Sequence, residues 1–181
     1  MSKFVWGNMN DERVYLDENN IRMTTNFRIN FGRLAEELLN EGKRDSAVQV
    51  LDKCVEVTPD KTIPYNYFMT KIAELYYRAA GVTNKMIDSS LVNSDVELSK
   101  KKEWTDKANS ILSRLADIYT DNLDYYLSLK GTKYFKFVEQ DMNQSLYIMQ
   151  AVSAIAKQTD QKELADKLDK KFNDYAGRAG M

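Results

Sequence analysis

The chain contains no histidine, and it has one cysteine, seven glycines and two prolines among its 181 residues. Without an imidazole it has no general base for a serine or cysteine triad and no histidine ligand for zinc. A single cysteine forms neither an internal disulfide nor a thiolate cluster, and so few glycines leave little material for phosphate-binding loops. We therefore predict that this chain is not an enzyme, with no catalytic residue, no cofactor and no metal site.

The chain also lacks an excess of charge of either sign. Lysine and arginine total 26 and aspartate and glutamate total 27, so the formal net charge is −1. Without an excess of positive charge, nucleic acid is not expected as a partner. The longest uncharged stretch, Met142–Ala156, has 15 residues, whereas a membrane span needs about 20 mostly apolar ones. We expect no membrane span, and the first fifteen residues lack the apolar core of a signal peptide.

What the sequence does contain is helical periodicity. Apolar residues recur at three- and four-residue steps along most of the chain, which predicts an all-α fold. We expect an N-terminal arm at 1–16 and one helical domain at 17–177, with 82–102 an insertion or loop inside it. The six predicted helices are Asp17–Glu41, one from Asp45 to Pro59, one from Pro64 to Gly81, Trp104–Leu129, Lys133–Lys157 and one that follows a capping box formed by Asp160 and Glu163.

The first two predicted helices match the pattern of a tetratricopeptide helix pair. In that pattern the first helix carries large and small residues at fixed spacing, and the second presents a small residue where the backbones approach closely. The matching residues are Phe31, Leu34, Ala35, Leu38, Ala47, Leu51 and Pro59. In the first helix, Ile21 and Phe27 join this set as expected inward residues.

Two weaker copies follow the first. In the second copy Met69, Ile72–Ala73 and Tyr76 lead to Gly81, and the partner helix with Ala108 and Leu112 comes 22 residues later than in the first pair. In the third copy large and small residues are exchanged, with Leu164 where a small residue is expected. We predict antiparallel helical hairpins stacked in a tetratricopeptide-like right-handed superhelix of about three pairs.

Several strings resemble the C-terminal region of a family of polytopic bacterial membrane proteins. They are WGNMND, VYLDENN, NFRINFGRLAEELLNEGKRDSAVQVLDKCVEVTP, PYNYF and LDYYLSL, strongest over Trp6–Gly81 and Leu123–Leu129. The N-terminal half of these proteins is similar to protein O-mannosyltransferases. The resemblance implies a tetratricopeptide-like domain attached to a membrane-embedded glycosyltransferase-like body, on the periplasmic face of the inner membrane. It implies that the present chain is a fragment and that the catalytic carboxylates lie elsewhere.

In such a superhelix the first helix of each pair lines the concave side, so its polar residues form a candidate partner-binding groove. These residues are Arg33, Glu36, Asn40, Tyr67, Lys71, Glu74, Tyr77, Arg78, Gln150, Ser153 and Lys157. Neighbouring residues on a helix point about 100° apart. One tyrosine of each doublet, Tyr76–Tyr77 and Tyr125–Tyr126, is therefore expected in the core and the other on a groove.

Two further residues allow simple interpretations. Cys54 lies on the inward face of the second helix, where a small buried hydrophobe is favoured over a reactive thiol. Arg28 lies along the first helix with Arg22 and Arg33, and we expect these three to pair with exposed carboxylates at Asp17, Glu18 and Glu37.

The leading hypothesis is a non-catalytic module that binds a protein or peptide partner, or its own membrane-embedded half. The alternative is an accessory domain that contributes directly to glycosyl transfer by binding an acceptor or donor headgroup.

Overall fold

A computed structural model describes residues 5–82 and 97–180, and all regular structure in these two ranges is α-helix. The predicted all-α class is confirmed. The six helices are α1 (Glu18–Asn40), α2 (Arg44–Val57), α3 (Phe68–Ala79), α4 (Leu98–Ser128), α5 (Phe135–Gln158) and α6 (Lys162–Ala179).

The helices α1, α3 and α5 end in the same backbone motif, in which a residue with positive φ follows the last turn. After α1, Gly42 (φ +76°) and Lys43 donate to the carbonyls of Leu39 and Leu38 at 3.0 and 2.8 Å. These two bonds satisfy carbonyls that have no partner inside the helix. The same pair of bonds recurs after α3 and after α5, so each first helix of a predicted hairpin ends in an equivalent way.

This motif corrects the predicted capping box before α6. Asp160, with φ +57°, takes the position after α5 that Gly42 takes after α1, and its N–H bonds the carbonyl of Lys157. The residue that precedes α6 is Gln161, whose side chain makes no cap bond. Aspartate is one of the few residues with a side chain that enters the left-handed region readily, which explains why the same residue fits both patterns.

Two other predicted helix starts are wrong. Asp45 lies inside the first turn of α2, which begins at Arg44. Its carboxylate therefore interacts favourably with the helix dipole but does not cap the helix. Pro64 precedes α3 by four residues, because α3 begins at Phe68. By contrast, Asp17 does cap α1, since its Oδ1 accepts from the N–H of Asn20 at 2.7 Å.

Most contacts between helices join neighbours along the chain. Consecutive helices form the pairs α1–α2, α3–α4 and α5–α6. Between pairs, α3 packs on α1 and α2, whereas α4 packs on α5 and α6. Fully buried alanines at positions 35, 47, 73 and 108 lie in this shared core, where small side chains let backbones approach.

The buried face of α1 differs from the predicted one. Phe31 and Ala35 are buried as expected, but Phe27 and Leu34 are 42% and 47% exposed. The most deeply buried side chains of α1 are instead those of Arg28, Ala35 and Leu39. The helix is therefore rotated so that Leu34 faces outward.

The described part of the N-terminal arm covers one side of α1. The Trp6 ring stacks on Phe31 with centroids 5.5 Å apart and meets Phe27 edge-on at 6.0 Å. Glu12 forms an ion pair with Lys61 at 2.9 Å, which ties the arm to the α2–α3 connection.

The predicted insertion at 82–102 lies largely outside the described residues. Its last five residues, 98–102, belong to α4, which begins six residues before the predicted start at Trp104. Of the helices in the described ranges, none combines the length and the apolar character that crossing a bilayer requires.

Candidate partner-binding groove

The helices α1 and α3 lie side by side and leave a cavity of about 230 Å³ between them. Three of its lining residues, Arg33, Glu36 and Lys71, belong to the predicted groove. The complete lining is Arg28, Ile29, Gly32, Arg33, Glu36, Phe68, Lys71 and Ile72. Gly32 is buried at the contact, where an added Cβ would lie 3.5 Å from Ile72 Cδ1, so a small residue allows the helices to approach.

Polar side chains bridge α1 and α3 along this groove. Lys71 Nζ lies 2.6 Å from Glu36 Oε1, and Arg78 Nη2 donates to Asn40 Oδ1 at 2.8 Å. Arg33 is exposed and makes no hydrogen bond or ion pair with the residues at 5–82 and 97–180. The structure therefore brings together five of the predicted residues, Arg33, Glu36, Asn40, Lys71 and Arg78, and among the described residues it leaves the Arg33 guanidinium available to a ligand.

Exposed aromatic side chains lie at one end of the groove. Tyr67 and Phe68, at the start of α3, are 45% and 46% exposed. Phe68 also lines the cavity, together with Ile29 and Ile72. Apolar surface and a free cation thus occur within one small depression.

Tyr77 does not line this groove, which corrects the prediction. Its side chain is fully buried, and its hydroxyl donates to Asn109 Oδ1 at 2.5 Å. Burial raises the pKa of Tyr77 to about 12. Tyr76 is buried as well, so the expectation that one member of this doublet faces outward is wrong.

The members of the second doublet differ in exposure, as their angular spacing predicts, but neither is fully buried. Tyr125 is 59% exposed and Tyr126 is half-buried. Both members of the first doublet are buried in α3, which packs on α1, α2 and α4. Angular spacing on a helix fixes which residues differ in direction, but the packing around the helix decides how many of them are buried.

The three predicted groove residues of α5 lie apart from the α1–α3 groove. Ser153 is buried and donates to Asp169 of α6, and Lys157 pairs with the same carboxylate at 2.5 Å. Gln150 is exposed. Because α5 packs mainly on α4 and α6 rather than beside α3, the prediction of one groove through all three first helices is wrong for these residues.

Arg28 is the main residue whose environment the sequence analysis missed. The prediction paired it with exposed carboxylates, but its side chain is fully buried. Its Nε donates to Thr58 Oγ1 at 3.2 Å, its Nη1 to the Pro64 carbonyl at 2.9 Å, and its Nη2 to the carbonyls of Thr58 (2.9 Å) and Ile63. The guanidinium also lies 5.1 Å from the centre of the Tyr65 ring.

This buried cation fixes the segment between α2 and α3. Burial lowers the pKa of Arg28, but a guanidinium stays charged in proteins. Oxygen acceptors and an aromatic face stabilise the charge in place of a direct carboxylate partner. Arg28 precedes Phe31 by three residues and Ala35 by seven. This spacing indicates that Arg28 lies on the same face of α1 as these two buried residues.

A second cleft, between α2 and α4, has a volume of about 440 Å³. Its rims carry the ion pairs Lys107–Asp52 at 2.9 Å and Arg114–Asp60 at 2.6 Å. Burial and the bond to Asp52 raise the pKa of Tyr76 in its wall. Helical spacing does not predict this cleft, because its paired residues lie more than fifty positions apart along the chain. Its charged groups are all engaged with one another, so it offers fewer free recognition groups than the α1–α3 groove.

Cys54 has the environment of a structural thiol rather than a reactive one. Cys54 is fully buried, and desolvation raises its pKa to about 11, so its thiol stays protonated at neutral pH. This confirms the buried position predicted for it. Over the described parts of the chain, no group of three or more potential metal-ligating residues is present.

Comparisons with protein-family models, with curated proteins and with solved structures find no match to this chain. The resemblance to the C-terminal region of a membrane glycosyltransferase-like family therefore stays a prediction that rests on the quoted sequence strings.

Proposed function

We propose that this chain is a non-catalytic helical-repeat module that binds a protein or peptide partner in the α1–α3 groove. In this proposal its three hairpins form a tetratricopeptide-like right-handed superhelix, with α1 and α3 on the concave side. The supporting observation is that Arg33, without a partner in the described structure, lies beside a cavity lined by Phe68 and Ile72.

The groove is suited to an extended peptide that carries a carboxylate next to an apolar side chain. The Arg33 guanidinium has the fork geometry that binds a carboxylate through two hydrogen bonds. The wall of Ile29, Phe68 and Ile72 accommodates an apolar side chain. Tyr67 adds exposed aromatic surface, which is enriched at protein-binding sites. The cations Arg33, Lys71 and Arg78 outnumber the carboxylates Glu36 and Glu74, which favours an acidic ligand.

The test is a selection of peptides from a random display library on the immobilised chain, followed by affinity measurement with synthetic copies of the selected peptides. We expect enrichment of sequences with an acidic residue or free C-terminus beside an apolar residue. Arg33→Ala and Phe68→Ala should each weaken binding about tenfold or more, as removal of a central contact does.

The matched control is Arg22→Ala, which removes an exposed arginine from the same helix outside the groove. It should bind the selected peptides as the unchanged chain does. The proposal fails if no peptide is enriched, or if the Arg22 variant loses as much affinity as the Arg33 variant. Circular dichroism of each variant establishes that the helical content is unchanged.

We also propose that the module is attached to a membrane-embedded glycosyltransferase-like body on the periplasmic face of the inner membrane, which would be a further partner. The strings WGNMND and LDYYLSL, among those that resemble this family, support the proposal. Ten or more apolar spans encoded upstream of Met1 in the same reading frame are expected, and a stop codon there would contradict it.

A further inference from the structure

The corner between α4 and α5 combines exposed aromatic rings with lysines and is distant in sequence from the α1–α3 groove. Residues 125–138 contain three lysines and no carboxylate, although the whole chain carries a net charge of −1. Tyr134 is 55% exposed and Phe137 is 71% exposed. Exposed aromatic residues of this size indicate an interaction surface when they cluster.

The helical spacing sorts this segment into three stripes. Phe135 and Val138 are partly buried toward the domain, whereas Tyr134 and Phe137 form one outward stripe and Lys133 and Lys136 form another. The two members of each stripe are three residues apart across the turn that leads into α5, where Tyr134 already has helical backbone angles, so they lie on similar sides of the segment. Aromatic surface and positive charge therefore lie next to each other.

The lysines hold their charges close to the exposed rings. Lys133 Nζ lies 5.1 Å from the centre of the Tyr134 ring, and Lys136 Nζ lies 5.0 Å from the centre of the Phe137 ring. Neither lysine forms an ion pair with any residue of the described ranges. Their charges are therefore not paired with a carboxylate of residues 5–82 or 97–180.

The corner is held in a defined shape. Lys130 Nζ donates to the carbonyls of Arg178 and Ala179 in the last turn of α6, at 2.8 and 3.1 Å. Thr132 Oγ1 donates to the Leu129 carbonyl at 2.7 Å and accepts from the Tyr134 N–H at 3.2 Å. The exposed rings are therefore presented by an ordered turn, which lowers the entropy lost on binding.

We propose that this corner docks on the surface of an anionic lipid bilayer. Lys133 and Lys136 would contact phosphate headgroups, and the Tyr134 and Phe137 rings would enter the interfacial region, where aromatic side chains are favoured. The adjoining stripes match the order of a bilayer surface, in which negative headgroups overlie apolar chains. An acidic protein would require only the charges and would leave the Phe137 ring unexplained.

The experiment is sedimentation of the full chain with vesicles of phosphatidylcholine alone, and with vesicles containing about one third phosphatidylglycerol. Binding is expected only to the anionic vesicles. Each lysine near such a surface contributes about fivefold in affinity, so the double variant Lys133→Gln/Lys136→Gln should bind about 25-fold more weakly. The double variant Tyr134→Ser/Phe137→Ser should also lose binding at low salt although it keeps both lysines, because the apolar contribution of the two rings is removed.

The matched control is Lys167→Gln/Lys170→Gln, which removes two exposed lysines of α6 that have the same three-residue step. It should lose less than about twofold, since these lysines lack exposed aromatic neighbours. Absence of binding to anionic vesicles would overturn the proposal. This is also the result expected if the partner is an acidic protein. An equal loss in the control would overturn it as well, because binding would then depend on overall charge.

Discussion

The two junctions between successive helical hairpins are built differently. At the first junction α3 packs beside α1, and the polar pairs Glu36–Lys71 and Asn40–Arg78 bridge the two helices across an open groove. At the second junction α4 packs on both α5 and α6, and Tyr77 bonds Asn109, which in turn donates to Gln161 at 3.1 Å. The first junction has a cavity at its surface and a buried cation, Arg28, whereas the second has a series of neutral hydrogen bonds from Tyr77 through Asn109 to Gln161.

This difference shows what a repeat pattern in a sequence determines. The first two copies share a small residue at the contact, Ala47 and Ala108, and both are fully buried. The third copy has Leu164 at this position, and that side chain is only partly buried. A larger residue at the contact keeps two helices from the same close approach. Consecutive helices therefore pair along the chain, whereas the contacts between pairs differ from one junction to the next.

Among the substitutions that distinguish the two junctions, replacement of Arg28 is expected to change the free energy of unfolding most. Arg28→Ala leaves the carbonyls of Thr58, Ile63 and Pro64 without their donor in the interior, so we expect a loss of about 3–5 kcal/mol in the free energy of unfolding. Urea denaturation measures this loss. Hydrogen exchange at the Ile63 amide, which bonds the Pro59 carbonyl, should accelerate.

Arg22→Ala removes an exposed arginine from the same helix and should cost less than about 0.5 kcal/mol. Arg28→Lys keeps the charge without the fork and should fall between the two variants. If Arg28→Ala unfolds at the same urea concentration as Arg22→Ala, the first junction does not depend on this residue.

The second junction is tested by Tyr77→Phe, which removes the hydroxyl that donates to Asn109. We expect a loss of about 1–2 kcal/mol, because Asn109 Oδ1 is left without that donor. Burial raises the pKa of Tyr77 from 10.0 to about 12, so the folded state disfavours the tyrosinate. The stabilising contribution is complete below pH 10 and is lost as the pH rises toward 12.

As the pH rises over this range, the free energy of unfolding of Tyr77→Phe should accordingly fall less than that of the unchanged chain. Tyr125→Phe alters an exposed hydroxyl of α4 and should change neither the unfolding free energy nor its alkaline dependence. An identical pH profile for Tyr77→Phe and the unchanged chain would contradict the buried network.

A smaller effect compares the turns that follow α1 and α5. Gly42→Ala should cost about 1 kcal/mol, because φ at Gly42 is +76° and an added Cβ meets no other atom, so the penalty is purely conformational. Asp160→Gly should stabilise by about 0.5–1 kcal/mol, since Asp160 occupies the equivalent position with φ +57°. Thermal unfolding of both variants measures the two effects, and changes of the same sign would refute the equivalence of the two turns.

The smallest effects are expected from the exposed ion pairs that cross each junction. Glu36–Lys71 spans the first, and Asp117–Lys171 spans the second at 2.7 Å. Double-mutant cycles with glutamine and asparagine should give coupling energies of about 0.2–1 kcal/mol for each pair. A coupling energy well above this range for either pair would show that ion pairing contributes substantially to the stability of that junction.

Helix positions and most of the core could be predicted from the sequence, because both depend on local spacing. Ala35, Ala47, Leu51, Ala108 and Leu112 were all expected inside and are all fully buried. Partners of long-range polar contacts could not be predicted in the same way. Asp52 and Lys107 lie 55 positions apart, and no periodicity connects them.

Side-chain chemistry misled the prediction in two places. Arg28 was assigned to the surface because arginine is seldom fully buried unless it is paired, although its spacing placed it on the buried face. Leu34 was assigned to the core because it is apolar, although the rotation of α1 that buries Arg28 turns Leu34 outward. Of the candidate groove residues, Arg33, Glu36 and Lys71 line one cavity, whereas Tyr77 is buried and the α5 members lie apart from it, because their positions depend on how the helices pack.

The contacts of Arg28 also bear on how such a chain can be divided. Its donors lie in the first hairpin, and two of its acceptors, the carbonyls of Ile63 and Pro64, lie beyond Pro59 on the way to α3. A cut at Pro59, where the repeat pattern ends, would separate the Arg28 charge from two of the oxygens that accept its hydrogen bonds. The first hairpin is therefore not a unit that can be duplicated, exchanged or grafted alone, and recombination or engineering of this chain would have to move α1, α2 and the segment that leads to α3 together.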